Sequence, residues 1–304
     1  MRSLKGSRLQ RRGNNVKNWK KEKGRSQLGA IWFRYKKNKL ALIGLILMTI
    51  ILIVVLTANL YIPEERISKM DISNMYAPIS SSHLLGTDQY GRDVLARVIY
   101  GGRISLKVGI FVVLGAMTIG GLLGACAGYF GGVVENIIMR VMDIFLAIPS
   151  MILSITVVAA LGTSTTNLII ALIIARTPQF ARIVRSAVLP LKNQEYIEAA
   201  LACGTSHWRI ITRHIIPNVI GPVIVQATLQ MGGAIINIAG LSFIGLGVQP
   251  PTPEWGSMLS EAREVIRVYP YLVFPPGLAI MVSVFSFNRI GDGLRDALDP
   301  KLKN

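Results

Sequence analysis

Side chains able to do chemistry are few in this chain, and they are scattered. His83, Asp88 and Asp93 carry metal-ligating groups, but their offsets match neither a zinc site nor an EF-hand loop, so no metal is expected. Cys126 falls in an apolar run and Cys203 in a polar one, which argues against a disulfide between them, and no Cys-x-x-Cys spacing occurs. No Gly-x-x-x-x-Gly-Lys-Ser/Thr sequence is present to cradle phosphates, so the chain has no site of its own for ATP chemistry. Asp143 follows Arg140 by three residues, a spacing that pairs them on one helical face; a helix-end ion pair and a contact at an inner gate both fit it. The most suggestive polar pattern is amide-based. Gln226, Gln230, Gly233 and Asn237 stand at offsets of 0, 4, 7 and 11 and share one helical stripe. Amides in hydrocarbon need partners, so the stripe serves either interhelical hydrogen bonding or a wet path for a polar solute.

The elements that must carry these residues are membrane helices. Of 304 residues 51% are hydrophobic and 16% charged, against roughly 25% charged in soluble domains. A bilayer core of roughly 30 Å asks for about 20 apolar residues per helix. Residues 40–62, 104–128 and 219–247 meet that length, and 141–161, 165–188 and 273–290 supply further runs, giving six spans in an all-α chain. Arg176 interrupts the fourth run, and no partner for it is evident in the sequence. The formal charge is +17, and residues 1–39 hold fourteen Lys or Arg against the single Glu22. An apolar run follows directly, so this leader reads as a topology-setting segment held near anionic lipid, not as a nucleic-acid arm. It is too long, and the run after it too full-length, for a cleavable signal.

With the N-terminus inside, residues 182–214 face the cytoplasm with five basic and two acidic side chains, while 63–103 hold five of each. Both termini are then cytoplasmic, and Arg182 and Arg185 snorkel toward the inner headgroups. Organisation follows: leader 1–39, anchor 40–62, outer loop 63–103, core 104–293 and tail 294–304. Gly120, Gly124 and Gly128 recur every four residues and form a seam for close helix approach, whether for packing alone or for gating. Within the outer loop, Thr87 or Asp88 is placed to cap a helix bearing Val94, Leu95, Val98 and Ile99 along the interface. Arg92 and Asp93 there suit capping and surface pairing, or docking of an external protein.

Between two apolar runs, residues 193–217 form a polar hinge. Asn193 is placed to cap a helix reaching about Cys203, Gly204 suits a left-handed terminus, and Ser206 caps a second helix stopped before Pro217. An Ala200-x-x-x-Gly204 spacing also occurs in DNA-binding helix-turn-helix units. Lys192, Arg209 and Arg213 against Glu195 and Glu198 leave too little positive charge for phosphate contacts, so nucleic acid is excluded.

Glu195, Tyr196, Glu198, Ala199, Ala200 and Gly204, with Pro217 closing the segment, resemble the EAA coupling loop of ATP-binding-cassette (ABC) importer permeases. The outer residues narrow the resemblance. Gly86-Thr87-Asp88, Gly91-Arg92-Asp93, Gly102-Arg103-Ile104-Ser105-Leu106, Arg140-x-x-Asp143, Pro253-Glu254-Trp255-Gly256 and Asn288-Arg289-Ile290-Gly291-Asp292-Gly293 look like the second membrane subunit of dipeptide, oligopeptide and nickel permeases. The resemblance implies a type I importer permease fold in a prokaryotic plasma membrane. It also implies a homologous second permease subunit, two ABC ATPases that hold ATP and Mg2+, and an extracytoplasmic solute-binding protein. The implied solute is a peptide, with nickel or another small solute in the same importer class as the alternative. An ion-coupled secondary transporter is the competing class.

Overall fold

The computed structural model describes residues 27–63 and 65–298, so the basic leader before Gln27 and the last six residues lie outside the description. Among the described residues the architecture is helical, with a single isolated bridge between Thr87 and Asp93. The long elements are α1 (Gln27–Tyr35), α2 (Lys39–Leu56), α3 (Val94–Phe130), α4 (Gly132–Ala147), α5 (Ser150–Leu161) and α6 (Thr165–Val188). After a hinge come α7 (Glu195–Ala202), α8 (His207–Phe243), α9 (Trp255–Arg263) and α10 (Phe274–Leu298). Among the described residues five helices, α2, α3, α6, α8 and α10 with its leading turn, are long and apolar enough to cross a membrane, and six if the α4–α5 pair is one span.

Helix α2 shows why its residues suit lipid. Ile43, Ile46, Ile50 and Ile53 are exposed, and only Ala41, Gly44, Met48 and Val55 are buried. An element apolar on every side, with one narrow buried stripe, belongs in hydrocarbon. The stripe packs on α10, where a Cβ on Gly44 would stand 2.7 Å from that of Arg289.

The centre of the molecule is the α3–α6 pair. A Cβ on Gly120 would lie 2.5 Å from the Thr177 carbonyl oxygen and one on Gly124 2.3 Å from that of Ala181, while Gly128 abuts Val188. The glycine seam thus lets two backbones touch, the geometry that stabilises helix pairs where lipid removes the hydrophobic driving force. Val112, Val113, Ala116, Leu168, Leu172 and Phe180 fill the space beside it.

Several expectations are corrected. The interfacial helix before the second span does not exist separately: α3 runs without interruption for 37 residues. At 1.5 Å per residue it is about 55 Å long and must project well beyond the hydrocarbon. The third run is not one straight helix, because α4 and α5 meet at 92° around Ile148-Pro149. Proline disfavours helical backbone in the residue before it, and Ile148 is accordingly extended. Pro178 leaves α6 unbroken, and α10 continues through the expected tail to Leu298. Asp143 pairs with Arg182 at 2.6 Å, not with Arg140, and Arg185 pairs with Glu135. Both arginines therefore tie α6 to α4 instead of reaching freely for headgroups.

Candidate functional site

Two helical turns and a glycine build the knob at one end of the bundle. Gln194, not Asn193, occupies the N-cap of α7, and its side chain makes no capping bond. Glu195 and Glu198 stand in the first turn, where negative charge suits the helix dipole. At the other end Thr205 N–H donates to the Ala200 carbonyl at 3.0 Å and Gly204 N–H to that of Leu201 at 2.9 Å. That paired pattern is a Schellman cap, and Gly204 supplies its left-handed residue at φ +74. Ser206 is the N-cap of α8 by backbone, again without a side-chain bond.

Pro217 does not stop the second helix. His207–Ile210 passes through a π-turn, Ile211–Ile215, into Ile216–Phe243, with Ile216 N–H donating to the Ile211 carbonyl. The wider turn accommodates a proline that has no N–H to give and whose ring crowds the preceding turn. Asn218 Nδ2 donates to the His214 carbonyl at 2.6 Å, satisfying an acceptor in the disturbed stretch. The knob is therefore continuous with the long α8.

The knob is fastened from below and bare above. Ile197, Ile210, Ile211 and Ile215 are fully buried against Val184 and Val188 of α6 and Ala125 and Tyr129 of α3. Tyr129 and His207 Nδ1 share a 2.7 Å hydrogen bond. Tyr196, Leu201 and Trp208 are 42%, 41% and 59% exposed, large apolar side chains left open on a polar hinge. Glu195, Glu198, Ala199 and Pro217 are exposed, and Ala200 is half-buried.

The amide stripe lies on α8 beside α6. Gln230 is buried, while Gln226, Gly233 and Asn237 are half-buried. Arg176 of α6, only 6% exposed, donates from Nη1 to Gln230 Oε1 at 2.5 Å. Gln230 Nε2 in turn donates to Gln179 Oε1, and Gln179 is exposed. The structure thus gives Arg176 the partner that the sequence did not reveal. Nothing marks Gln179 in the sequence except its place one turn beyond Arg176.

The opposite end of the bundle carries a locked ionic cluster. Thr87 and Asp88 do not cap α3; Asp93 does, accepting from Ala96 N–H at 2.9 Å. Asp88 instead holds Arg92 Nε at 2.7 Å, and Arg92 Nη2 reaches Glu261 of α9 at 2.7 Å. Arg97 bridges the same two acids at 3.4 and 3.3 Å. Arg92 and Arg97 are 2% and 1% exposed, so the surface pairing expected of Arg92 is a buried, charge-balanced network instead. Thr87 Oγ1 accepts from Ala77 N–H at 2.7 Å. Gly86 and Gly91 both hold positive φ, and a Cβ on Gly91 would collide with the Asp71 carbonyl oxygen, which explains the glycines of this motif. Ser73 and Asn74 donate to the Asp71 carboxyl and hold it below the usual carboxylate range. Burial first, and then the neighbouring Tyr269 and Asp88, push the Tyr76 phenol up, and its ring stacks 4.1 Å from that of Tyr269. His83 Nδ1 lies 3.0 Å from Asp93 Oδ2, and among the described residues no group of three His, Cys, Asp or Glu could hold a metal. Glu254 caps α9 and accepts from Ser105 Oγ at 2.8 Å, tying the Pro253-Glu254-Trp255-Gly256 motif to α3.

A helical bundle with a knob fused to a long helix, and a buried motif at its far end, can be set beside known proteins. Residues 120–304 match the family of binding-protein-dependent transport system inner membrane components, and residues 26–78 match the N-terminal transmembrane domain of oligopeptide transport permease C. The dipeptide transport system permease protein of Alkalihalophilus pseudofirmus is 48% identical, the match covering 88% of each chain.

The chain belongs to this permease family. A dipeptide permease of Haemophilus influenzae is 41% identical over 92% of this chain and 96% of its own. The glutathione transport system permease protein of Pectobacterium atrosepticum is 42% identical, over 90% and 91%. Among solved structures, an inward-facing methionine ABC transporter MetNI aligns with a TM-score of 0.51 at 20% identity, covering 68% of this chain and 97% of that one. The fold is thus that of an ABC importer permease, and this permease is a multi-pass membrane component of a transport system.

Proposed function

We propose that this permease forms half of the path of an ATP-driven peptide importer and takes its drive through the knob. The observation that carries the reading is the apolar cap of Tyr196, Leu201 and Trp208, exposed on a knob whose underside is fully buried. A surface of that kind suits a cleft on a partner, and Ala199, exposed on the same helix, lets that partner approach closely. Relatives named for dipeptide and glutathione transport favour a small peptide as solute.

In this reading a second, homologous permease subunit completes the path, and two cytoplasmic ATPases hold ATP and Mg2+. An extracytoplasmic binding protein delivers the solute. Both termini lie in the cytoplasm with the knob, which places the cluster around Arg92 on the outer side. Closure of the ATPases on ATP displaces α7, and the Schellman cap and π-turn pass that displacement into α8. Along α8 run Gln226, Gln230 and Asn237, which face the solute path. Reconstituted proteoliposomes test the whole reading: uptake of a dipeptide should require ATP, both ATPases and the binding protein. Uptake that persists without the ATPases and follows an ion gradient would identify a secondary transporter instead.

A further inference from the structure

Arg176 sits halfway along α6, the twelfth of its 24 residues, so its Cα lies about 16 Å along the axis from the start of that helix. A charge at that depth is costly and is retained where it faces a wet interior or a partner. None of the ion pairs among the described residues involves Arg176, and its Nε has no hydrogen-bond partner. Its neighbours are neutral amides whose polarity is dictated by the arginine. A guanidinium only donates, so Gln230 must turn its oxygen to Arg176 and its nitrogen to Gln179, as observed. Gln179 then spends its oxygen and keeps its own Nε2 as a donor, on a residue exposed at the surface of the chain. Gly233 lies over the guanidinium, where a Cβ would stand 3.3 Å from Nη2, so no side chain from that position covers it. One full positive charge and a surplus of N–H donors therefore converge where the amide stripe meets α6.

We propose that Arg176, supported by Gln230 and Gln179, receives the carboxylate of the solute in transit. The guanidinium fork matches a carboxylate in shape, and the neutral surroundings leave its charge uncompensated until an anion arrives. The inference rests on the peptide-importer reading and adds that the path selects for a free carboxyl group. Lysine at this position would keep the charge and lose the fork.

The test uses the complete assembly in proteoliposomes at saturating binding protein, comparing ATP-driven uptake of Ala-Ala with that of its C-terminal amide. The ratio of the two rates is taken in the wild type and in Arg176→Gln and Arg176→Lys, so discrimination by the binding protein cancels. Assembly by size exclusion and basal ATPase activity show whether each variant is intact. The expected result is that Arg176→Gln lowers the free-acid to amide ratio by about tenfold or more, with Arg176→Lys between the two. An unchanged ratio overturns the carboxylate site while dipeptide uptake by the wild type upholds the importer. Equal loss of both substrates in Arg176→Gln, restored by Arg176→Lys, also overturns it and assigns the charge to an acid of the second permease subunit. Absence of ATP-driven dipeptide uptake in the wild type overturns the importer reading, and this inference with it.

Discussion

Glu261 shows how much rests on single side chains at the outer end. It is the acid through which α9 holds both Arg92 and Arg97, so Glu261→Ala leaves two buried cations to share Asp88. Breaking a buried pair costs about 3–5 kcal/mol, and thermal unfolding in detergent should register a loss of that order. His83, with 26% of its side chain exposed beside Asp93, should lose less than about 1 kcal/mol as His83→Gln in the same measurement. The motif containing Arg92 was legible as sequence, whereas its partner Glu261, 169 residues away, was not. Ion-pair spacing rules work within a helix, so they favoured Arg140 for Asp143 and could not see Arg182 across two helices. Arg176 was recognisable as an anomaly, and its resolution also lay on another helix.

At the scale of the helix, periodicity carried most of the truth, while of the cap residues Gly204 fits its expected place and Thr87, Asp88 and Asn193 do not. The four-residue glycine repeat marked the α3 face correctly, because small residues on one stripe let a neighbouring helix approach closely in lipid. Gly124→Val should prevent α3 and α6 from closing, since the Ala181 carbonyl lies 2.3 Å from the added carbon, and folded yield in membranes should fall severely. Gly121→Ala, three residues away and with nothing within 4 Å, should leave yield unchanged. Gly204 presents a different case: its positive φ was anticipated, and its Cβ direction is open, so a side chain there is penalised by backbone strain without collision. Gly204→Val should cost about 1–2 kcal/mol locally, loosening the Schellman cap. ATPase activity of the assembly should then persist while uptake per ATP falls. The joins between elements were least legible. Prolines mark joins ambiguously: Pro149 sits at a 92° bend, Pro178 inside an intact helix, and Pro217 behind a π-turn, according to what each surrounding turn can absorb.

For the molecule as a whole, the proposed cycle is mechanical: α8 joins the knob to the amide stripe in one 37-residue rod packed on the α3–α6 pair, and in that cycle the rod shifts against the pair. Ile197 of α7 shares one buried cluster with Ile210, Ile211 and Ile215 of α8, so the knob is stiff in itself and motion at Tyr196 or Trp208 does not dissipate in a loop. The most direct measurement is disulfide crosslinking from a cysteine introduced at Leu201, with Cys126 and Cys203 replaced by serine, to single cysteines on the ATPase in the assembled importer. Crosslinks should form in high yield and change partner position between nucleotide-free and ATP-bound states, and locking them should abolish uptake. A cysteine at Leu201 that labels only from the outside of the membrane, or that meets no ATPase residue in any nucleotide state, would contradict the coupling role of the knob.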